Sequence, residues 1–307
     1  MSPNVDARFE QLIQKIDPQN QLRRVWTLTG GVSAQVTGLE MVRANGSTIK
    51  MIVRQHGDAD FNANPTIATD EFKLLHRLHG HGLPTPMPYF MDISCQIFER
   101  PVIVMEFIEG TTDFAPAPVQ EAARQLAQVL AKIHAVELST HDWSFLPDQM
   151  IKDAAFLRVR PTRLDESLDE GRIREVLEGV FPFPDGNPPV LLHGDFWLGN
   201  TLWQEGRLIS VIDWEDAGVG EPLSDLASAR MELLWSSGME AMHSFTVSYQ
   251  TLMPTLRYDS LPYWDLLAAI LPAFKIALWA GDDATEARMR AQHRWFVEQA
   301  MVAIQRG

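Results

Sequence analysis

The string LLHGDFWLGNTLW, residues 191–203, and the string LISVIDWED, residues 208–216, bring together the residue types that phosphoryl transfer uses. They place His193, Asp195 and Asn200 on one short loop and Asp213 at the end of the next apolar run. The chemistry needs one carboxylate to orient an attacking hydroxyl. It also needs an amide and a second carboxylate to hold Mg²⁺ against nucleotide phosphates. A chance His-Gly-Asp in a turn is the alternative reading, since Gly-Asp is common in turns. A strand before the loop, the amide five residues on and a second strand ending in Asp weigh against it.

Other residues along the chain have types suited to the same task. Thr29-Gly30-Gly31-Val32-Ser33 lies between two strand-like runs, where backbone N–H groups and the Ser33 hydroxyl can cap phosphates. A Gly-Gly pair also makes an ordinary turn. Alternation puts Lys50, Ile52 and Arg54 on one face of a strand. Glu71, early in the following helix, is a candidate ion-pair partner for Arg54, or a solvated carboxylate favoured by the helix dipole. Acidic residues that could meet an acceptor include Glu215, Asp216, Glu221, Asp265, Asp282, Asp283 and Glu286. Asp282-Asp283 reads better as a helix-start cap. His134, His141 and His243 do not fall at metal-ligand spacing.

These groups must be held by elements the pattern predicts. Phe9, Leu12, Ile13 and Ile16 recur at helical spacing, and residues 22–55 read as three strands. Asn45-Gly46 is a hairpin turn between the second and third strands. Asn64-Pro65 opens a helix through Phe72, Leu75 and Leu78 that Gly80 and Gly82 stop. Two further strands are expected near 89–93 and 102–107, and from Val119 onward the periodicity is helical. The exception is a strand pair around Leu202 and 208–212, turned by Glu205-Gly206. The expected architecture is α+β. A β-rich lobe over residues 1–109 is followed by a larger, mainly helical lobe over 110–307.

Composition narrows the class. The 307 residues are 46% apolar and 21% charged, enough for a sizeable core and too apolar for a disordered chain. The net charge of −14 opposes nucleic acid or an anionic membrane as partner. A single cysteine, Cys95, excludes an intramolecular disulfide. The start, MSPNVDARFEQL, lacks the basic head and apolar run of a signal peptide, and no apolar stretch reaches the roughly 20 residues of a membrane span. A cytoplasmic protein is the expectation.

The HGDxxxxN string at His193, Gly194, Asp195 and Asn200, followed by a strand ending in Asp213, resembles the aminoglycoside phosphotransferase and choline kinase group. These are the small-molecule relatives of protein kinases. The string IDWEDAGVGEPLSDLA, running to Asp225 and beyond, is typical of the same group. The resemblance implies a two-lobed, protein-kinase-like fold and transfer of the γ-phosphoryl group of ATP or GTP to a hydroxylated small molecule. It implies that Asp195 takes or orients the hydroxyl proton and that Asn200 and Asp213 bind Mg²⁺. Gly30, Gly31 and Ser33 would cover the phosphates. Adenine would bond main-chain groups around Glu106, Phe107 and Ile108. Asp225 would tie down the catalytic loop, and His193 would shape it. Where kinases place a lysine on the third strand, this chain has Arg54 in Met-Ile-Val-Arg. Arginine keeps the charge but sets a different geometry. Two alternatives stay open: a catalytically degenerate nucleotide-binding protein of the same fold, and a metal-dependent phosphohydrolase using His193, Asp195 and Asp213. His-Gly-Asp in place of His-Arg-Asp, with no Ala-Pro-Glu segment, speaks against a protein kinase.

Overall fold

A buried apolar cluster shared by the N-terminal helix and the first strands sets the architecture of the N-terminal part. The computed structural model describes residues 3–28, 34–112 and 118–306. The chain divides into two compact units, Met1–Gly110 with Ser210–Glu215, and Thr111–Ile209 with Asp216–Gly307.

The first unit contains α1 (Pro3–Ile16), β1 (Gln21–Thr27), β2 (Ala34–Val42), β3 (Thr48–His56), α2 (Asp58–Ala63), α3 (Ile67–Gly80), β4 (Pro88–Asp92) and β5 (Val102–Glu106). The strands form an antiparallel sheet in the order β1-β2-β3-β5-β4. The expected Asn45-Gly46 turn joins β2 to β3, with Gly46 at φ +80°, where a side chain would be strained. Met51 and Val53 of β3, with Val102 and Val104 of β5, face Phe9, Leu12 and Ile13 of α1, and all are buried. The helix thus buries one apolar stripe on one face of the sheet. Register pairs Ile52 with Met105 and Arg54 with Ile103, putting these four on the opposite face. There α3 presents its buried stripe of Ile67, Glu71, Leu74, Leu75 and Leu78. A carboxylate inside that stripe requires a partner, because an unpaired buried charge is costly.

The second unit is mainly helical. It contains α4 (Val119–His134), α5 (Gln149–Arg158), α6 (Glu170–Glu178), β6 (Val190–Leu192), β7 (Thr201–Gln204), β9 (Gly218–Gly220), α7 (Pro222–Ser237), α8 (Met239–Leu252), α9 (Leu261–Ile270), α10 (Ile276–Ala280) and α11 (Asp283–Arg306). Strand β8 (Arg207–Val211) begins in this unit, pairs with β7, and carries the chain into the first. Glu205 and Gly206 make the turn with φ of 49° and 76°. The pair β6 and β9 is antiparallel, and β6 runs straight into His193. α4 packs on α8, and α7 packs on α8, α9 and α11. Pro222 opens α7, where its missing N–H has no helical partner to lose.

The expected strands, the α3 stop and the β7–β8 turn are present within one or two residues. Patterning did not reveal α2 or β9, which have six and three residues and are too short to carry a period. No helix among the described residues is long and apolar enough to cross a membrane.

Candidate active site

In the second unit, β6 delivers the chain into a loop that its own backbone groups fix. Buried Asp225, in the first turn of α7, accepts the backbone N–H of His193 on Oδ2 at 2.7 Å and that of Gly194 on Oδ1 at 3.0 Å. His134 Nε2 also lies 3.2 Å from Oδ2, and its Nδ1 is 2.5 Å from the Tyr249 hydroxyl. Burial opposes ionisation of Asp225, but the bonds from His134 and the His193 N–H prevail and hold its carboxyl below the usual range. The loop is thus tied to α7, and through His134 to α4 and α8.

Gly194 turns the chain at φ +84°, and a Cβ there would stand 2.1 Å from the Asp216 carbonyl oxygen. Buried His193 accepts the Asp195 N–H on Nδ1 at 3.2 Å, so its ring serves the loop's shape. Asn200 donates from Nδ2 to the Asp195 carboxylate Oδ2 at 2.8 Å and to the Asp195 carbonyl at 2.9 Å. That orientation leaves the Asn200 amide oxygen as the atom suited to a cation. The structure therefore brings Asp195 and Asn200 together, five residues apart, through a short helical turn at Leu198–Asn200.

The first unit holds a second cluster. Arg54, 8% exposed, directs Nη2 to Asp213 Oδ1 at 2.6 Å and to Glu215 Oε2 at 2.5 Å. Its Nε lies 3.3 Å from Glu71 Oε2, an ion pair without hydrogen-bond alignment. Glu71 Oε2 is also 2.7 Å from His56 Nε2, and His56 lies on the same strand face as Arg54. Burial disfavours the Arg54 charge, yet Glu71, Asp213 and Glu215 outweigh it and raise its affinity for the proton. Glu71 is likewise penalised by burial, but Arg54 and His56 hold its carboxyl below the ordinary value. Three carboxylates around one guanidinium leave an excess of two negative charges when His56 is neutral. Asp213 adopts φ +66°, a left-handed conformation that aspartate tolerates better than most residues.

Glu106 ends β5, and its carboxylate accepts the Met87 N–H at 3.2 Å. The Phe107 ring meets Trp26 edge-on at 5.6 Å, with Lys50 above it. Ile108 is half-buried. Gly30, Gly31 and Ser33 lie outside the described residues. Among the acceptor-side carboxylates considered from sequence, Glu215 is drawn to Arg54, Asp265 pairs with Arg230 on both oxygens at 3.0 Å, and Asp282 caps α11. His134 is a core residue, and His141 and His243 are exposed.

Sequence reasoning missed Glu232. Burial, and then the charge of Asp195, push its carboxyl up to about 7. It stands seven residues after Asp225 on α7, two helical turns along the same face. That spacing was the available signal.

Among the described residues, no group of three or more His, Cys, Asp or Glu side chains is arranged to hold a metal. Mg²⁺ asks for less, often one or two protein oxygens completed by water and phosphate. In the second unit the amide oxygen of Asn200 is a donor of that kind; in the first, so is the carboxylate of Asp213, where the negative excess suits a dication.

Residues 37–257 match the phosphotransferase enzyme family. Relatives include acyl-CoA dehydrogenase family member 11 of Homo sapiens, 25% identical over 232 residues, or 67% of this chain and 30% of that protein. Viomycin phosphotransferase of Streptomyces vinaceus is 30% identical over 160 residues, 48% of this chain and 55% of that one. The chain thus spans under a third of the human relative and about half of the bacterial one. The GDP complex of wild-type aminoglycoside 2′-phosphotransferase-IIIa shares the fold, with a TM-score of 0.64 at 15% identity over 99% of this chain and 98% of that chain. The fold is the expected α+β, protein-kinase-like one, β-rich at the N-terminus and helical toward the C-terminus.

Proposed function

Because the chain belongs to the phosphotransferase enzyme family, we infer that it is a Mg²⁺-dependent small-molecule kinase. It moves the γ-phosphoryl group of ATP or GTP to a hydroxyl of a small molecule. Residues 1–109 form the nucleotide-binding lobe and 110–307 the catalytic and acceptor-binding lobe. The protein works in the cytoplasm, without nucleic acid or membrane.

The pairing of Asp195 with Asn200 carries this reading. Asp195 accepts the acceptor's hydroxyl proton as the alcohol oxygen bonds to the γ-phosphorus and the bond to the bridging oxygen of the leaving diphosphate breaks. Asn200 keeps the carboxylate oriented, and Asp225 prevents the loop from drifting. Arg54, anchored by Glu71, meets the nucleotide phosphates, and Gly30, Gly31 and Ser33 cover them. The main chain at Glu106, Phe107 and Ile108 receives the base. Asn200 and Asp213 would hold Mg²⁺, which supplies charge neutralisation at the phosphate oxygens when bound. The protein's contribution is mainly position and charge.

Thermal-shift titration with ATP and GTP, with and without Mg²⁺, tests the reading. A Mg²⁺-dependent rise for one nucleotide, lost in Asp213→Ala and kept in Asp195→Asn, supports it. Turnover of an acceptor panel should vanish in Asp195→Asn. Retained turnover in that variant refutes the base assignment, and binding without turnover in the wild type favours a degenerate enzyme.

A further inference from the structure

The Arg54 cluster contains one more carboxylate than an ion pair with Glu71 and a shared contact with Asp213 require. We propose that Glu215 is a positioning residue for Arg54, holding one edge of the guanidinium so that the other faces nucleotide phosphate. It is what allows an arginine to serve where a single-nitrogen cation would suffice. This rests on the reading of Arg54 as a phosphate-binding group.

A guanidinium is a rigid planar fork, so fixing one edge fixes the other. Nη2 is engaged by Asp213 and Glu215 together, at 2.6 and 2.5 Å, and Nε is turned toward Glu71. With Nη2 bonded to two carboxylates and Nε only paired by charge with Glu71 beside it, Nη1 is the nitrogen that these carboxylates leave to address an anion. The Glu215 side chain is only 11% exposed, so its carboxylate is held and not merely drawn in from solvent.

Asp213 is poorly suited to anchor Nη2 alone, because the same carboxylate is the proposed metal ligand. A carboxylate shared with a dication holds a guanidinium less tightly. Glu215 is not one of the proposed metal ligands, and it comes from the same short segment, two residues later. Lysine would need no comparable device, since its ammonium is a point charge on a flexible stem that Glu71 can hold by itself.

The test is a four-protein cycle on the full chain: wild type, Glu215→Gln, Arg54→Lys and the double variant. Dissociation constants for ATP and GTP are measured by calorimetry with and without MgCl₂, and unfolding midpoints are taken without nucleotide. Glu215→Gln is expected to weaken the preferred nucleotide about 10-fold in the wild-type background and less than about 2-fold in the Arg54→Lys background, the scale of one charge-assisted hydrogen bond. Equal losses in both backgrounds, or no loss in the wild-type one, overturn the proposal while leaving nucleotide binding intact. A wild type that binds neither nucleotide instead removes the phosphate-binding reading on which it stands. Should the glutamine variant not fold, Glu215→Asp takes its place; it keeps the charge on a shorter stem and is expected to weaken binding only where Arg54 is retained.

Discussion

Replacing Asp225 by asparagine swaps one accepting oxygen for an amide NH₂ at a point where three donors converge. The backbone N–H groups of His193 and Gly194 and the imidazole of His134 all address that carboxylate. At least one donor then faces another donor in a buried site. The Asp225 carboxylate is ionised, so each bond lost is charge-assisted and worth about 1.5–3 kcal/mol. We expect Asp225→Asn to cost about 2–3 kcal/mol, which lowers the unfolding midpoint by about 4–12 °C for a unit of this size. The acid response should change as well. An unfolded aspartate binds its proton near pH 3.9, above the depressed native value, so this contribution is complete above that pH and lost as pH falls through the native value. Asp225→Asn should flatten that limb. Calorimetric melts from pH 3 to pH 8 and hydrogen exchange at the Gly194 amide measure both effects. A midpoint within about 2 °C of wild type at neutral pH, with Gly194 exchange unchanged, would refute the anchoring argument.

Gly194→Ala combines the left-handed backbone with a Cβ 2.1 Å from the Asp216 carbonyl, and a loss of more than about 3 kcal/mol is expected in urea unfolding. Glu71→Gln leaves Arg54 and His56 short of a buried partner and should cost about 3 kcal/mol at pH 7. Because the native Glu71 carboxyl is depressed, that cost should shrink as the pH falls below about 4.3, and a pH-independent cost would contradict the ion-pair account. Glu232 behaves in the opposite sense. Between its unfolded value of about 4.3 and its native value of about 7, folding takes up a proton and stability declines as the pH rises. Glu232→Gln is therefore expected to be neutral near pH 4 and stabilising by about 3–4 kcal/mol at pH 8, and equal effects at both ends would show that the carboxyl is not perturbed.

Much of this protein is readable from local pattern, because strands and long helices announce themselves by period. Phe9, Leu12 and Ile13 of α1, the Asn45-Gly46 hairpin, the alternation through β3 and the Glu205-Gly206 turn are all local, and each is found where it was expected. The loop from His193 to Asn200 was legible for a related reason, since its residues lie within a few positions of one another. Tertiary structure alone decided the partners that sequence distance hides. Arg54 and Glu215 are 161 positions apart, and no periodicity links them; only the return of Ser210–Glu215 to the first unit makes that carboxylate a partner of an arginine. The same holds for Asp225, His134 and Tyr249, whose mutual contacts depend on how α4, α7 and α8 pack. Sequence determines which groups a segment offers and which face it buries. The packing of distant segments determines which of those groups must neutralise one another, because the cost of leaving a buried charge alone arises only after the chain has folded around it.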